Sequence, residues 1–189
     1  MNRITKTLAT LGLVGTLAGC ERNLEQKTPE QYLKVEKAAF SYHDTKSAAY
    51  GATQYAKEAG DWRNAAILYA QAGHPNMVSV MVARERKDLG RMVHFLEKEG
   101  DYEKKTRKFP WGRNIANFHY QSASLIAEII GNNKKAESLY DKIIEIGFVQ
   151  VGSNIRFVPN GTLKEKREFI KKAVHAAHVD GVYGLRKAS

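Results

Sequence analysis

Apolar residues recur along this chain at intervals of three and four, the spacing of one face of an α-helix. The first such run holds Tyr32, Val35, Ala39 and Tyr42. It follows Thr28-Pro29-Glu30-Gln31, which offers a Thr N-cap, a Pro at the first helical position and a Gln placed for a capping box. The run breaks near His43-Asp44. A second helix is expected over about 46–59, dense in small residues (Ala48, Ala49, Gly51, Ala52, Ala56), and closed by Gly60-Asp61. A third, over 62–72, sets Trp62, Ala65, Ala66, Tyr69 and Ala72 on one face. Gly73-His74-Pro75 stops it, since Gly ends helices and Pro cannot continue one. Two shorter patterns occupy 76–99, first with Met77, Val78, Val80, Met81 and Val82, then with Leu89, Met92, Val93 and Leu96. Gly100-Asp101 is expected to end them, leading into a basic loop and a turn at Phe109-Pro110-Trp111-Gly112.

A long helix over about 114–130 follows, with Ile115, Phe118, Ser122, Leu125 and Ile129 on its buried face. After the turn Gly131-Asn132-Asn133 comes a helix carrying Ala136, Leu139, Tyr140 and Ile143. The period then changes: Phe148 to Val151 and Ile155 to Val158 flank Gly152-Ser153-Asn154, the pattern of a small β-hairpin within 148–160. Such a hairpin needs the helices to pack on. Thr162-Leu163-Lys164-Glu165 is a second capping box. It opens a last helix with Phe169, Ile170, Ala173, Val174 and Ala177 inward. The fold class expected is all-α, built of antiparallel helical hairpins.

Two of these helix starts match. Gly60, Ala65, Leu68, Tyr69 and Ala72 recur at identical offsets as Gly131, Ala136, Leu139, Tyr140 and Ile143. The separation is about two periods of 34 residues. The segment AAYGATQYAKEAGDWRNAAILYAQAGHP resembles a tetratricopeptide repeat. Ala65, Tyr69 and Ala72 fit that repeat's Ala-x-x-x-aromatic-x-x-Ala pattern, and Gly60-Asp61-Trp62 its Gly-Asp-aromatic turn. FHYQSASLIAEIIGNNKKAESLYDKIIEIG fits a second copy, departing at Asn133 and Ile143. Sel1-like repeats are a close cousin. The resemblance covers roughly a third of the chain, and it implies helix pairs stacked into a short tetratricopeptide-like solenoid.

The first 20 residues have a different character. Arg3 and Lys6 precede an uncharged run from Leu8 to Ala18. That run is far shorter than the roughly 20 residues of a membrane span, and it has the order of a signal peptide. Leu17-Ala18-Gly19-Cys20 resembles the lipobox of bacterial lipoproteins. The resemblance implies cleavage before Cys20, which then carries the lipid. Cys20 is the only cysteine, so a disulfide framework is excluded. The expected organisation is a leader over 1–19, a lipidated tether over 20–27, a helical domain over 28–180 and a tail over 181–189. Glu21, where Asp would signal inner-membrane retention, favours the outer membrane, on its periplasmic face.

The chain carries 30 basic and 20 acidic residues, a net charge of +10; losing Arg3 and Lys6 with the leader leaves +8. That excess favours anionic partners, whether an envelope protein or an anionic envelope polymer. No recognition motif points to nucleic acid. Three basic clusters stand out. Arg84, Arg86, Lys87 and Arg91 form one, and Lys164, Lys166, Arg167, Lys171 and Lys172 another. The third, Lys104, Lys105, Arg107, Lys108 and Arg113, includes Trp111 and Phe109. It combines Arg with aromatic residues, as interfaces do, and is the expected partner-binding surface.

Catalytic patterns are missing. No Ser sits in a Gly-x-Ser-x-Gly setting, and no glycine-rich phosphate loop occurs. Acid pairs such as Glu97/Glu99 are expected on a charged helix surface. His175 and His178 lie one turn apart but lack an obvious third ligand, so no metal and no cofactor is expected. The expected function is a non-enzymatic, lipid-anchored scaffold or assembly factor for secretion, pilus or outer-membrane machinery. The alternative is an exclusion or immunity lipoprotein of a phage or conjugative element.

Overall fold

A computed structural model describes residues 28–40, 45–107, 110–151 and 154–176. The leader, Cys20, the tether, His178 and the tail lie outside the described residues. Among the described residues the chain forms eight helices and one two-stranded sheet. In order these are α1 (Pro29–Phe40), α2 (Thr45–Glu58), α3 (Trp62–Gln71), α4 (Pro75–Glu85), α5 (Leu89–Thr106), α6 (Trp111–Ile129), α7 (Asn133–Ile146), β1 (Phe148–Val151), β2 (Asn154–Phe157) and α8 (Leu163–Ala176). The all-α expectation with a small hairpin holds. None of the described helices is long and apolar enough to cross a membrane.

Both expected capping boxes form. The Thr28 N–H donates to Gln31 Oε1 at 2.7 Å while the Gln31 N–H reaches Thr28 Oγ1. At α8 the Thr162 N–H donates to Glu165 Oε2 at 2.8 Å, and the Glu165 N–H returns to Thr162 Oγ1 at 3.3 Å. Each box satisfies amide donors that a helix start leaves without carbonyls.

Four of the interhelical turns share one geometry. Gly60, Gly73, Lys87 and Gly131 have φ of 71°, 79°, 57° and 76°. In each turn the next residue's N–H closes back on the carbonyl five positions earlier: Asp61 to Ala56, His74 to Tyr69, Asp88 to Ala83 and Asn132 to Ala127, at 2.8–3.0 Å. This is a left-handed C-cap that flows directly into the next N-cap. Asp61, Asp88 and Asn132 then cap α3, α5 and α7 by accepting from the N–H three residues on. Such short connections hold neighbouring helices antiparallel. Each helix from α1 to α7 packs chiefly on its neighbours in sequence, and α8 packs on α7 and β1. The core therefore runs as a continuous band through Leu68, Tyr69, Met81, Met92, Leu96, Tyr120, Ile126, Leu139, Ile143 and Ile170, all fully buried or nearly so. Ala48, Ala49, Ala52 and Ala56 are completely buried in α2, because small side chains let its backbone approach the next helix.

Three expectations fail around residue 100. Gly100-Asp101 is not a break, for α5 continues to Thr106. A Cβ on Gly100 would lie 2.5 Å from Tyr120 Cε1, so the glycine admits the ring of α6 against the α5 backbone rather than ending a helix. Lys104 and Lys105 accordingly belong to the last turn of α5 rather than to a loop. Trp111-Gly112 is the first turn of α6, not a loop. There a Cβ on Gly112 would stand 2.6 Å from the Glu103 carbonyl oxygen, so the start of α6 abuts the end of α5.

The hairpin pairs Phe148 with Phe157 and Val151 with Asn154. Val149 is fully buried, whereas every side chain of β2 is exposed. Asn117 on α6 anchors β1 by donating to the Phe148 carbonyl at 2.6 Å.

Candidate functional site

Three of the four shared turns place Asp or Asn at the N-cap. The fourth has His74, whose side chain makes no cap hydrogen bond. Pro75 at the first helical position lacks the N–H that capping would otherwise serve. The imidazole instead reaches α5, where Nδ1 lies 2.9 Å from Glu99 Oε1 and 3.9 Å from Glu103 Oε1. Asn76, two residues on, donates to Glu99 Oε2 at 2.9 Å.

Glu99 and Glu103 are four residues apart, so both carboxylates project from one face of α5. Each is 1% exposed. This corrects the sequence expectation that Glu99 is a surface acid; Glu97 is the partly exposed member of that pair. A buried carboxylate is costly unless it is paired or bound. Burial raises the Glu99 pKa, but hydrogen bonds from His74 and Asn76, with the charges of His119 and His74, outweigh it and leave the group below its usual value. The Arg107 guanidinium pairs with Glu103 Oε2.

The walls are also titratable. His119 on α6 is 5% exposed, and its Nδ1 has no hydrogen-bond partner among the described residues. Burial drives its pKa down to about 4 against the upward pull of Glu99, with Lys57, His74 and Arg107 adding to the fall. Lys57 on α2 is 6% exposed and is lowered to about 8 by burial. The Tyr50 and Tyr69 rings stand 5.3 and 6.3 Å from the His74 ring. Five helices and the His74 turn thus contribute to a cluster of two acids, two histidines and a lysine. The sequence offered one signal for this site, a His in the slot that its sister turns fill with Asp or Asn; the Glu99/Glu103 pair lies 25 residues further on and meets it only in the fold.

The described residues of the expected partner-binding cluster sit at the end of α5 and the adjoining start of α6. Lys104 pairs with Glu145 at 2.8 Å, and Arg107 is the partner of Glu103. Lys105 and Arg113 are exposed on α5 and α6. Trp111 opens α6, and Lys108 lies outside the described residues. In the C-terminal cluster Arg167 binds Asp141 and Glu137 at 2.6–3.0 Å. His175 pairs with Glu128 at 2.6 Å.

Two members of the remaining cluster, Arg86 and Arg91, line a groove that Asp88 also borders. On the outer side of the α4–α5 hairpin, half-buried Val78, Val82 and Phe95 line a depression of about 520 Å³, with Arg86, Arg91 and His94 around it. Arg91 is 66% exposed and only loosely paired, 3.7 Å from Asp88. An apolar floor with a cationic rim suits an amphipathic segment bearing acidic residues. No protein-family model matches this chain, and no curated protein or solved structure matches it either.

Proposed function

We propose that this protein is a lipid-anchored adaptor of the bacterial envelope that binds an acidic, amphipathic segment of another envelope protein. The α4–α5 groove carries this reading, because it combines a half-buried apolar floor with the exposed Arg86 and Arg91, the latter only loosely paired with Asp88. The stacked hairpins and their repeated turns support the tetratricopeptide-like resemblance. Stacks of that kind work by presenting a surface rather than by chemistry. The lipobox-like Leu17-Ala18-Gly19-Cys20 supports the anchor, with Cys20 as the acylated residue and the outer membrane as its place.

Two measurements test the reading. Wild-type protein should take up labelled palmitate and sediment with membranes, and Cys20→Ser should do neither; soluble, unlabelled wild type removes the anchor from the proposal. A photo-crosslinking residue at Val82, in cells of the native host, should capture one partner through an acidic segment. Binding of that isolated segment should fall at least tenfold in Arg86→Glu/Arg91→Glu and should weaken with salt. A partner lost instead on neutralising Lys104, Lys105 and Arg107 would relocate the interface to the end of α5.

A further inference from the structure

We infer that His74, Glu99 and Glu103 form a binding site for a divalent transition-metal ion, with Zn²⁺ the best fit. The inference is independent of the adaptor reading, since it uses different residues inside the stack. One donor atom from each residue falls within 4.8 Å of the others, with His74 Nδ1 at 2.9 and 3.9 Å from the two carboxylate oxygens. Ligands about 2.1 Å from a zinc ion stand roughly 3.4 Å apart in a tetrahedron. Small side-chain rotations therefore suffice to close the three donors around one ion.

The chemistry of the set narrows the ion. An imidazole nitrogen disfavours Ca²⁺ and Mg²⁺, which take oxygen ligands. Among first-row ions that accept one nitrogen and two carboxylates, Zn²⁺ binds more tightly than Mn²⁺ or Fe²⁺. Three protein ligands leave a fourth position open.

The surroundings are those of a held site. Asn76 ties down the second oxygen of Glu99 at 2.9 Å, the outer-shell support that fixes a ligating carboxylate. Glu103 keeps Oε1 toward His74 while Arg107 takes Oε2. His119 is a separate observation. Its ring is buried with Nδ1 unbonded among the described residues, and it lies near enough to Glu99 and His74 to feel their charge. Buried close to Glu99, it adds a polar ring with an unused nitrogen to the surroundings of the three donors. His74, with 13% of its side chain exposed, gives the ion a way in from solvent.

The test uses the full-length chain in detergent, stripped with a chelator and titrated with Zn²⁺ by calorimetry, with Mg²⁺ in parallel. One equivalent of Zn²⁺ and no Mg²⁺ should bind. Affinity should fall at least 100-fold in His74→Ala and in Glu99→Gln, and about tenfold in Asn76→Ala. It should stay unchanged in His175→Ala, the other histidine beside a glutamate. Because Glu99→Gln leaves its partners inside the stack, His74→Ala, at a partly exposed helix start, serves as the variant whose fold is checked by circular dichroism. In it, the visible absorption of bound Co²⁺ should disappear. The proposal is overturned if Zn²⁺ does not saturate at one equivalent, if His74→Ala binds as wild type, or if His175→Ala removes the binding.

Discussion

Replacing Gly100 by alanine tests the packing at the centre of the stack, because two effects of opposite sign meet there. In an exposed helix interior the change would stabilise by about 1 kcal/mol. Here the new methyl would stand 2.5 and 2.8 Å from two ring carbons of Tyr120. The ring cannot retreat freely, since Tyr120 is fully buried and its hydroxyl donates to Asp101 at 2.7 Å. Overpacking of this kind costs about 1–3 kcal/mol, and a strained hydrogen bond adds about 1 kcal/mol. The net expectation is a loss of about 2 kcal/mol, or roughly 4–8 °C in Tm for a domain of this size. Chemical denaturation followed by circular dichroism measures it. The decisive comparison is a double-mutant cycle with Tyr120→Leu. Removing the ring should convert Gly100→Ala from harmful to neutral or mildly stabilising, a coupling of about 2–3 kcal/mol. If the two changes add to within about 0.5 kcal/mol, the ring does not press on Gly100, and the glycine has another role.

Two other outcomes follow from the site and the turns. His119 has a folded pKa of about 4 against an ordinary 6.5. The unfolded chain therefore binds more protons between those values, and stability falls as pH drops from about 6.5 to 4, by at most about 3 kcal/mol. His119→Leu should flatten that slope in acid denaturation, and an unaltered slope would place its origin elsewhere. Lys87 is the one non-glycine residue among the described residues with positive φ, at 57°, so Lys87→Gly should stabilise by about 0.5–1 kcal/mol. A lower Tm in that variant would contradict the left-handed turn.

The local signals in the chain were sufficient for the helices at both ends. Thr28 and Thr162 with their Gln and Glu partners marked two helix starts that form as expected, because a capping box is completed within four residues and needs no tertiary help. The glycine turns at 60, 73 and 131 were equally legible, since a left-handed C-cap is a local demand on the backbone. The turn at Lys87 is not legible as one of the set, because lysine carries no turn signature and its φ of 57° shows only in the folded turn. Gly100 departs from its local signal for the complementary reason. In sequence it looks like a stop, but its meaning lies in Tyr120 on the next helix.

The functional residues divide along the same line. The proposal of lipidation at Cys20 rests on sequence alone, on the lipobox-like Leu17-Ala18-Gly19-Cys20. By contrast, the environments of Lys104, Arg107 and Glu99 depend on what the neighbouring helices bring to them. Glu145 neutralises the first and Glu103 the second, while α6 and the His74 turn bury the third. Hydrophobic spacing determined that the chain is helical and where most helices turn, because those preferences act over a few residues. Burial of the two carboxylates beside His74 and His119, and the open basic groove on α4 and α5, were decided only by stacking. Burial and charge pairing are properties of the neighbours, and stacking chooses the neighbours.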